Sequence, residues 1–464
     1  MLDARPSLWV TYATALFFSG RHTAVEHKLQ AAEAALRGTE QDDASRDLVG
    51  RIASIRATLA IMQQDADVIV AQSRRALEYL HPDNLPIRTA ATYTLAYAHQ
   101  IKGERADASR AYTEVISISS GSFGDSIYTT AAVLGLGQVQ ESDNQLPLAA
   151  DTYRRVLQLV GDPPQGLASQ AHLGLARISF EWNDLEAAQR HAQQAIQRSR
   201  QMDSVETVAS CLVFLTRLRL AQDDVAGAGA ALDEAEAFVR QHNFLFRLPD
   251  VAAARMLTLL RQGHVAEAGL VAGTYDLPIS RARVHLAEGE TSAALALLEA
   301  WRAHVEAKGW ADERLKVMIV QAVALQAHGD RDQAVHVLDD ALALAQPGAF
   351  VRSFVDEGTP MADLLAVAAA QARIPDYAAK LLAAFEVDKP KSHNESAQRL
   401  TEPLTHRELE VLRLITQGLS NHEIGERLFL ALDTVKGHNR KIFGKLQVQR
   451  RTEAVARARE LGLA

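Results

Sequence analysis

The feature that most restricts what this chain can fold into is a period. A turn-forming residue followed five positions later by alanine recurs at Gly103/Ala108, Asn144/Ala149, Asn183/Ala188, Asp223/Ala228, Gly263/Ala268, Gly289/Ala294 and Gly329/Ala334. Successive pairs lie 39 to 41 residues apart, except for one interval of 26. Gly, Asn and Asp are the residues that enter the left-handed conformation in which helices end. An alanine one turn into the next helix marks a place where two backbones approach too closely for a larger side chain. The flanking segments carry helical apolar spacing, as at Ala171, Leu175, Ile178 and Trp182, then Ala188, Ala192 and Ile196. Strand signals are nearly absent. The pattern predicts an all-α stack of helical hairpins, each with an apolar face that only its neighbours can cover.

Such a stack needs a large apolar supply, and the 464 residues provide it with 48% hydrophobic and 23% charged side chains. Cys211 is the single cysteine, so an internal disulfide or a cysteine-rich zinc site is excluded, which fits a reducing cytoplasm. Asp3 and Arg5 precede any apolar run, so the start does not read as a signal peptide. No apolar run reaches the roughly eighteen residues that a bilayer span needs, so no membrane partner is expected.

The net charge of −8 is unevenly spread. Residues 401–464 carry +3 and the rest −11, and from Thr434 onward the balance is +6. An acidic body with a basic tip suits a protein that meets nucleic acid at one end only.

The composition divides the chain into a repeat region, 1–387, a linker, 388–402, and a C-terminal module, 403–464. The stretch DKPKSHNESAQRLTEP (388–403) is polar, lacks helical periodicity and contains Pro390 and Pro403. Beyond it, Thr405 and Glu408 form a capping box with Leu404 and Leu409 as a hydrophobic staple. Ser420 and Glu423 repeat the device with Leu419 and Ile424, and Gly418 sits where the intervening helix must stop. A third helix is predicted from about Leu432 to Leu446 and a fourth from about Thr452 to Leu461, giving helix-turn-helix proportions. At about 100° per residue, Val435, Asn439, Ile442 and Leu446 share one face of the third helix, with Phe443 at its margin. Lys436, Gly437, Arg440 and Gly444 share the opposite face, flanked by Lys441. Cations there can reach phosphates or guanine edges, and the missing side chains let the helix sit deep in a major groove.

The residues also carry a resemblance. Residues 5–36 (RPSLWVTYATALFFSGRHTAVEHKLQAAEAAL) and 348–386 (with GAFVRSFVDEGTPMADLL and PDYAAKLLAAF) resemble the tetratricopeptide-like superhelix of the large, MalT-like LuxR-family regulators. Residues 404–463, with G-L-S-N-x-E-I and T-V-K-x-H, resemble the LuxR-type helix-turn-helix. The resemblance implies that Lys436, Gly437 and Arg440 face base edges and that Thr434, His438, Lys441 and Lys445 lie on or near the phosphate backbone. It implies that the fourth helix, with Ala454, Val455, Ala458 and Leu461 on one side, is where modules pair. It further implies a cytoplasmic transcriptional activator that binds double-stranded DNA, associates with itself there and works with RNA polymerase, while the superhelix senses an inducer or a protein partner. Members of that family usually carry an ATP-binding domain before the repeats, yet no G-x-x-x-x-G-K-[ST] occurs here. A fragment of a longer regulator and a relative without that domain both remain open. The module departs from the family at Ala431, Asp433, Asn439, Gln447 and Arg450, and Asn439 needs a hydrogen-bond partner on the buried face.

Catalytic signatures are missing. His422-Glu423 begins like a zinc-protease motif, but Glu426 stands where the second histidine would be. No G-x-S-x-G or C-x-x-C occurs, and no cofactor or metal site is expected. Trp182, Trp301, Trp310 and Tyr377 read as core wedges sooner than ligand platforms. The alternative function is an interaction scaffold whose repeats bind a protein while the module binds DNA without sequence preference.

Overall fold

The computed structural model describes residues 5–37, 42–119, 127–160, 166–202, 204–369, 374–388, 405–416, 418–428, 430–446, 448 and 451–460. They divide into two compact units, 1–384 and 385–464. Residues 389–404, which hold nearly all of the expected linker, lie outside the described residues, as do Gln447, Arg450 and Leu461.

The first unit is all-α, a ladder of helical hairpins. α1 (Pro6–Phe18) pairs with α2 (His22–Leu36), α3 (Asp43–Gln63) with α4 (Ala66–Tyr79), and α5 (Leu85–Ile101) with α6 (Arg105–Ser119). α7 (Ile127–Ser142) and α8 (Leu146–Leu159), α9 (Leu167–Glu181) and α10 (Leu185–Gln201), and α11 (Val205–Ala221) and α12 (Val225–Gln241) continue the series. α13 (Leu248–Arg261) and α14 (Val265–Ala272), α15 (Pro278–Glu288) and α16 (Thr291–Lys308), and α17 (Ala311–His328) and α18 (Arg331–Ala345) complete it. Shorter pieces follow: α19 (Arg352–Val355), α20 (Thr359–Ala369) and α21 (Pro375–Asp388).

The period is explained atom by atom. All seven turn residues have positive φ, from 60° at Asp223 to 97° at Gly329. In each turn the left-handed residue bonds back three positions and the next residue bonds back five, as Asn183 to Phe180 (2.8 Å) and Asp184 to Ser179 (2.9 Å). This arrangement satisfies carbonyls that a helix end would otherwise strand. Several turns then start the second helix at once, because Asp184, Asp224 and Asp330 accept from the backbone N–H three residues on. All seven alanines five positions after the turn are fully buried. Two hairpins escaped the pattern because their residue types differ. Gln64 (φ 53°) precedes buried Ile69, and Gly20 (φ 75°) precedes buried Val25. The short interval has a simple cause: α14 has 8 residues and α15 has 11.

A second periodic device locks neighbouring hairpins. The Tyr112 ring of α6 lies against Gly135 of α7, and the Tyr153 ring of α8 lies against Gly174 of α9. A Cβ at either glycine would overlap the ring. Each phenol also donates twelve residues back, Tyr112 to Gln100 and Tyr153 to Glu141, both at 2.6 Å. Burial of such rings is a large share of the stacking energy.

The ladder also returns on itself within this unit. Trp310 Nε1 donates to the Gly103 carbonyl (3.3 Å), and Asn144 Nδ2 donates to the Ala311 carbonyl (2.9 Å). Trp182 Nε1 donates to the Gly348 carbonyl (2.9 Å), and the Tyr377 hydroxyl donates to the Phe350 carbonyl. Trp301 stacks on His304 at 5.2 Å. Trp182, Trp310 and Tyr377 are thus structural braces, and Trp301 packs on a neighbour one turn along its own helix. Cys211 is buried, and burial pushes its thiol up to about 12, so it is a core group and not a reactive one. No helix among the described residues is long and apolar enough to cross a membrane.

The second unit contains α22 (His406–Thr416), α23 (Asn421–Leu428), α24 (Leu432–Leu446) and α25 (Arg451–Glu460). Its core is Val411, Leu412, Leu414, Ile415, Ile424, Val435, Ile442, Leu446, Ala454 and Ala458.

Candidate nucleic-acid interface

Both expected capping boxes form. Thr405 N–H donates to Glu408 (2.8 Å) and Glu408 N–H to Thr405 Oγ1 (3.3 Å). Ser420 N–H donates to Glu423 (2.6 Å) and Glu423 N–H to Ser420 Oγ (3.4 Å). The Ser420 backbone N–H and hydroxyl hold the Glu423 carboxyl below its ordinary value. Gly418 (φ 89°) ends α22, with Leu419 N–H bonding the Leu414 carbonyl at 3.2 Å. Gly425 makes the next corner possible. Leu430 N–H bonds the Gly425 carbonyl (2.9 Å), and a Cβ at Gly425 would lie 2.8 Å from the Leu430 oxygen. No motif marks this glycine, because the backbone oxygen it makes room for is placed by the turn's geometry and not by a residue type.

α24 is the helix that the turn presents. Its buried side chains are Val435, Asn439, Ile442 and Leu446, the face read from the angles. Asn439 finds its partner in Asn421, whose Oδ1 accepts from Asn439 Nδ2 at 2.8 Å. Arg451 also reaches Asn421 Oδ1 (3.4 Å) and the Leu419 carbonyl. Asn421 therefore ties together the starts of α23 and α25 and the middle of α24. Arg407 adds a brace by donating to the Leu428 carbonyl (2.8 Å).

The opposite face of α24 is open. Lys436, Gly437, Arg440, Lys441 and Gly444 are exposed, and a Cβ at Gly437 or Gly444 would meet nothing within 4 Å. Neither glycine is required by packing, although each weakens the helix by up to about 1 kcal/mol relative to alanine. Arg440 and Lys441 make no ion pair among the described residues. Lys436 is held by Asp433 (3.1 Å) one turn back. Thr434 is exposed beside them. His438 is half-buried, and its Nδ1 is enclosed without a hydrogen-bond partner.

Lys445 stands apart from this group. Its ammonium lies 2.8 Å from the Glu408 carboxylate, with the two side chains 16% and 4% exposed. Burial alone would raise Glu408, but the Lys445 ammonium and the Thr405 N–H hold its carboxyl below the ordinary value. The sequence showed Glu408 only as a cap, since a partner 37 positions away leaves no local signal.

Among the described residues of the repeat unit, two groups bring carboxylates and an imidazole together: His99, Glu104 and Asp107, and His285, Glu288 and Glu290. The shared element is a staple across the turn, since His99 Nδ1 lies 2.5 Å from Glu104 and His285 Nδ1 lies 2.9 Å from Glu290. Each histidine is four residues before a left-handed glycine and each glutamate is just after it, so turn geometry accounts for both pairs.

A helical-repeat ladder and a four-helix module with an open basic face define a class, the helical-repeat regulators that carry a helix-turn-helix. Residues 50–371 match the MalT-like TPR region, and residues 402–458 match the bacterial regulatory proteins of the luxR family. The chain belongs to the MalT-like family and ends in a luxR-family DNA-binding module. It is 25% identical to the HTH-type transcriptional regulator MalT of Serratia proteamaculans (strain 568), over 95% of this chain and 52% of that protein. Against MalT of Yersinia pestis (strain Pestoides F) it is 25% identical over 99% of this chain and 55% of that protein. The chain thus spans about half the length of the curated relatives it matches. A crystal structure of a Rap protein complexed with Competence and Sporulation Factor shares the fold of the repeats. Its TM-score is 0.58 at 12% identity, over 75% of this chain and 99% of that one.

Proposed function

We propose that this protein is a sequence-specific transcriptional activator that reads double-stranded DNA with the open face of α24. The observation that carries the reading is that face itself: two exposed cations four residues apart, Lys436 and Arg440, beside two glycines with empty space above them. In this reading Lys436, Gly437 and Arg440 face base edges, and Thr434, His438 and Lys441 face the phosphate backbone. Lys445 acts through Glu408 by fixing α24 against α22, in place of the phosphate contact expected from sequence. The superhelix receives an inducer or a protein partner, the modules associate on DNA through α25, and the activator works with RNA polymerase in the cytoplasm. The family match and the curated MalT relatives support this reading.

Selection from random duplexes by gel shift tests it. Enrichment of one motif supports the activator. Uniform binding that falls with salt and enriches no motif supports instead a scaffold whose module binds DNA by charge alone.

A further inference from the structure

Many of the contacts by which the ladder returns on itself fall on one short segment. Residues 346–358 hold little regular structure: one turn of 3-10 helix, a left-handed Ala349 (φ 54°) and the four-residue α19. They are held by the end of α9. Val351 N–H donates to the Glu181 carbonyl (2.7 Å), and Ser353 donates to the Glu181 carboxylate from its N–H (3.1 Å) and its hydroxyl (2.7 Å). Arg352, 1% exposed, pairs with Asp356, donates to Asn183 Oδ1 (3.2 Å) and lies 5.8 Å from the centre of the Phe180 ring.

Later hairpins reach the same segment. Arg217 of α11 lies 3.7 Å from Glu181 and 3.9 Å from Asp356. Arg261 of α13 donates to the Asp356 carbonyl (3.1 Å), and Arg283 of α15 pairs with Glu357. A second set of contacts lies at the start of α17. There Arg105 pairs with Asp312 (2.6 Å), and Asn144 holds the Ala311 carbonyl. The repeat's own turn residues serve as docking points in each set, Asn183 in the first and Gly103 and Asn144 in the second.

We propose that residues 346–358 are a clasp that holds the superhelix closed, and that it opens together with the contacts of residues 310–312 as one unit, giving the sensor two states. Three features support two states and oppose a passive brace. The segment's conformation is imposed by partners, since its own helix is too short to stand and Ala349 is strained. Its contacts combine ion pairs with the buried side chains of Phe350, Val351, Phe354 and Val355, so the segment is released as a whole and not contact by contact. The contacts also bridge hairpins far apart in sequence, so losing one set removes what orients the other. The Tyr377 hydroxyl on the Phe350 carbonyl links α21, the last helix of this region, to the clasp, so opening frees that link as well.

Hydrogen exchange on the full chain tests this from both sides, independently of any DNA site. Asp312→Asn removes the Arg105 pair. Amide exchange should accelerate at least fivefold at 310–316 and by the same factor, within twofold, at 350–356. Ser353→Ala, a mild change that leaves the core intact, should accelerate exchange at 310–316 as much as at 350–356. Amides of α1 to α4 should be unchanged in both variants. Acceleration confined to the mutated segment in Ser353→Ala would overturn the proposal, whether or not Asp312→Asn folds.

Discussion

The Lys445 ammonium sits 2.8 Å from the Glu408 carboxylate, and Glu408 is at the same time the capping residue of α22. One carboxylate thus closes the first helix of the module and fixes the last turn of α24. Replacing it with the neutral Glu408→Gln is expected to destabilise the module by about 1.5–3 kcal/mol, the worth of hydrogen bonds to a charged group. Because the folded carboxyl is held below its ordinary value, the contribution is complete above the unfolded pKa near ~4.3 and disappears as pH falls through the lower folded value. Denaturant unfolding of the module from pH 7 to pH 3 should show that loss in the parent and a flatter profile in Glu408→Gln.

Gly437 separates stability from recognition. With open space above it, Gly437→Ala is expected to raise the stability of α24 by up to about 1 kcal/mol. The same methyl group would stand between helix and groove floor, so affinity for a selected duplex should fall at least tenfold. Thermal unfolding and titration of the same sample measure both effects.

Asp433 is a negative charge on the face proposed to meet DNA, and it holds Lys436 at 3.1 Å. Asp433→Asn should free the lysine and remove a repulsion. Affinity should rise by about 1 kcal/mol more on the selected duplex than on an unrelated one, because the freed ammonium is placed at a base edge. An equal change on both duplexes would place Lys436 on phosphate and not on a base edge.

His172 Nδ1 lies 3.1 Å from His191 Nδ1 between α9 and α10. Burial, then the neighbouring His191, then Arg198 depress His172 to about 4. The folded state therefore stays unprotonated over a range in which the unfolded chain takes up a proton. Stability should fall as pH drops from about 6.5 toward 4, by about 3 kcal/mol in all from this residue. His172→Gln should flatten the dependence of repeat unfolding across that window.

The notches are a packing test. Gly174→Ala places a methyl group inside the Tyr153 ring, and overpacking of this kind typically costs about 1–3 kcal/mol. Chemical denaturation should show the loss, and the double change with Tyr153→Phe should not recover it, because the ring is what collides.

Much of this architecture was legible because it rests on local chemistry. A left-handed residue and a small residue one turn later are both set within one hairpin, so Asn183 and Ala188 announce themselves. The faces of α24 follow from helical angle alone, and the capping boxes from residues three apart. What was not legible depends on distant partners. Glu408 with Lys445, Arg217 with Asp356, and Arg352 at Asn183 join positions that no short pattern connects. The first two hairpins were missed for another reason: Gln64 and Ile69 do the same work with residue types that the pattern did not admit.

The most direct test of DNA reading is Arg440→Ala measured on the duplex selected by the parent protein and on an unrelated duplex. Arg440 is exposed and makes no ion pair among the described residues, so its removal should leave the fold unchanged. We expect a loss of about 1–3 kcal/mol on the selected duplex, with relaxed preference at one base pair and a much smaller change on the unrelated one. Equal affinity of parent and variant for the selected duplex would contradict the orientation assigned to α24 and the proposed mode of recognition.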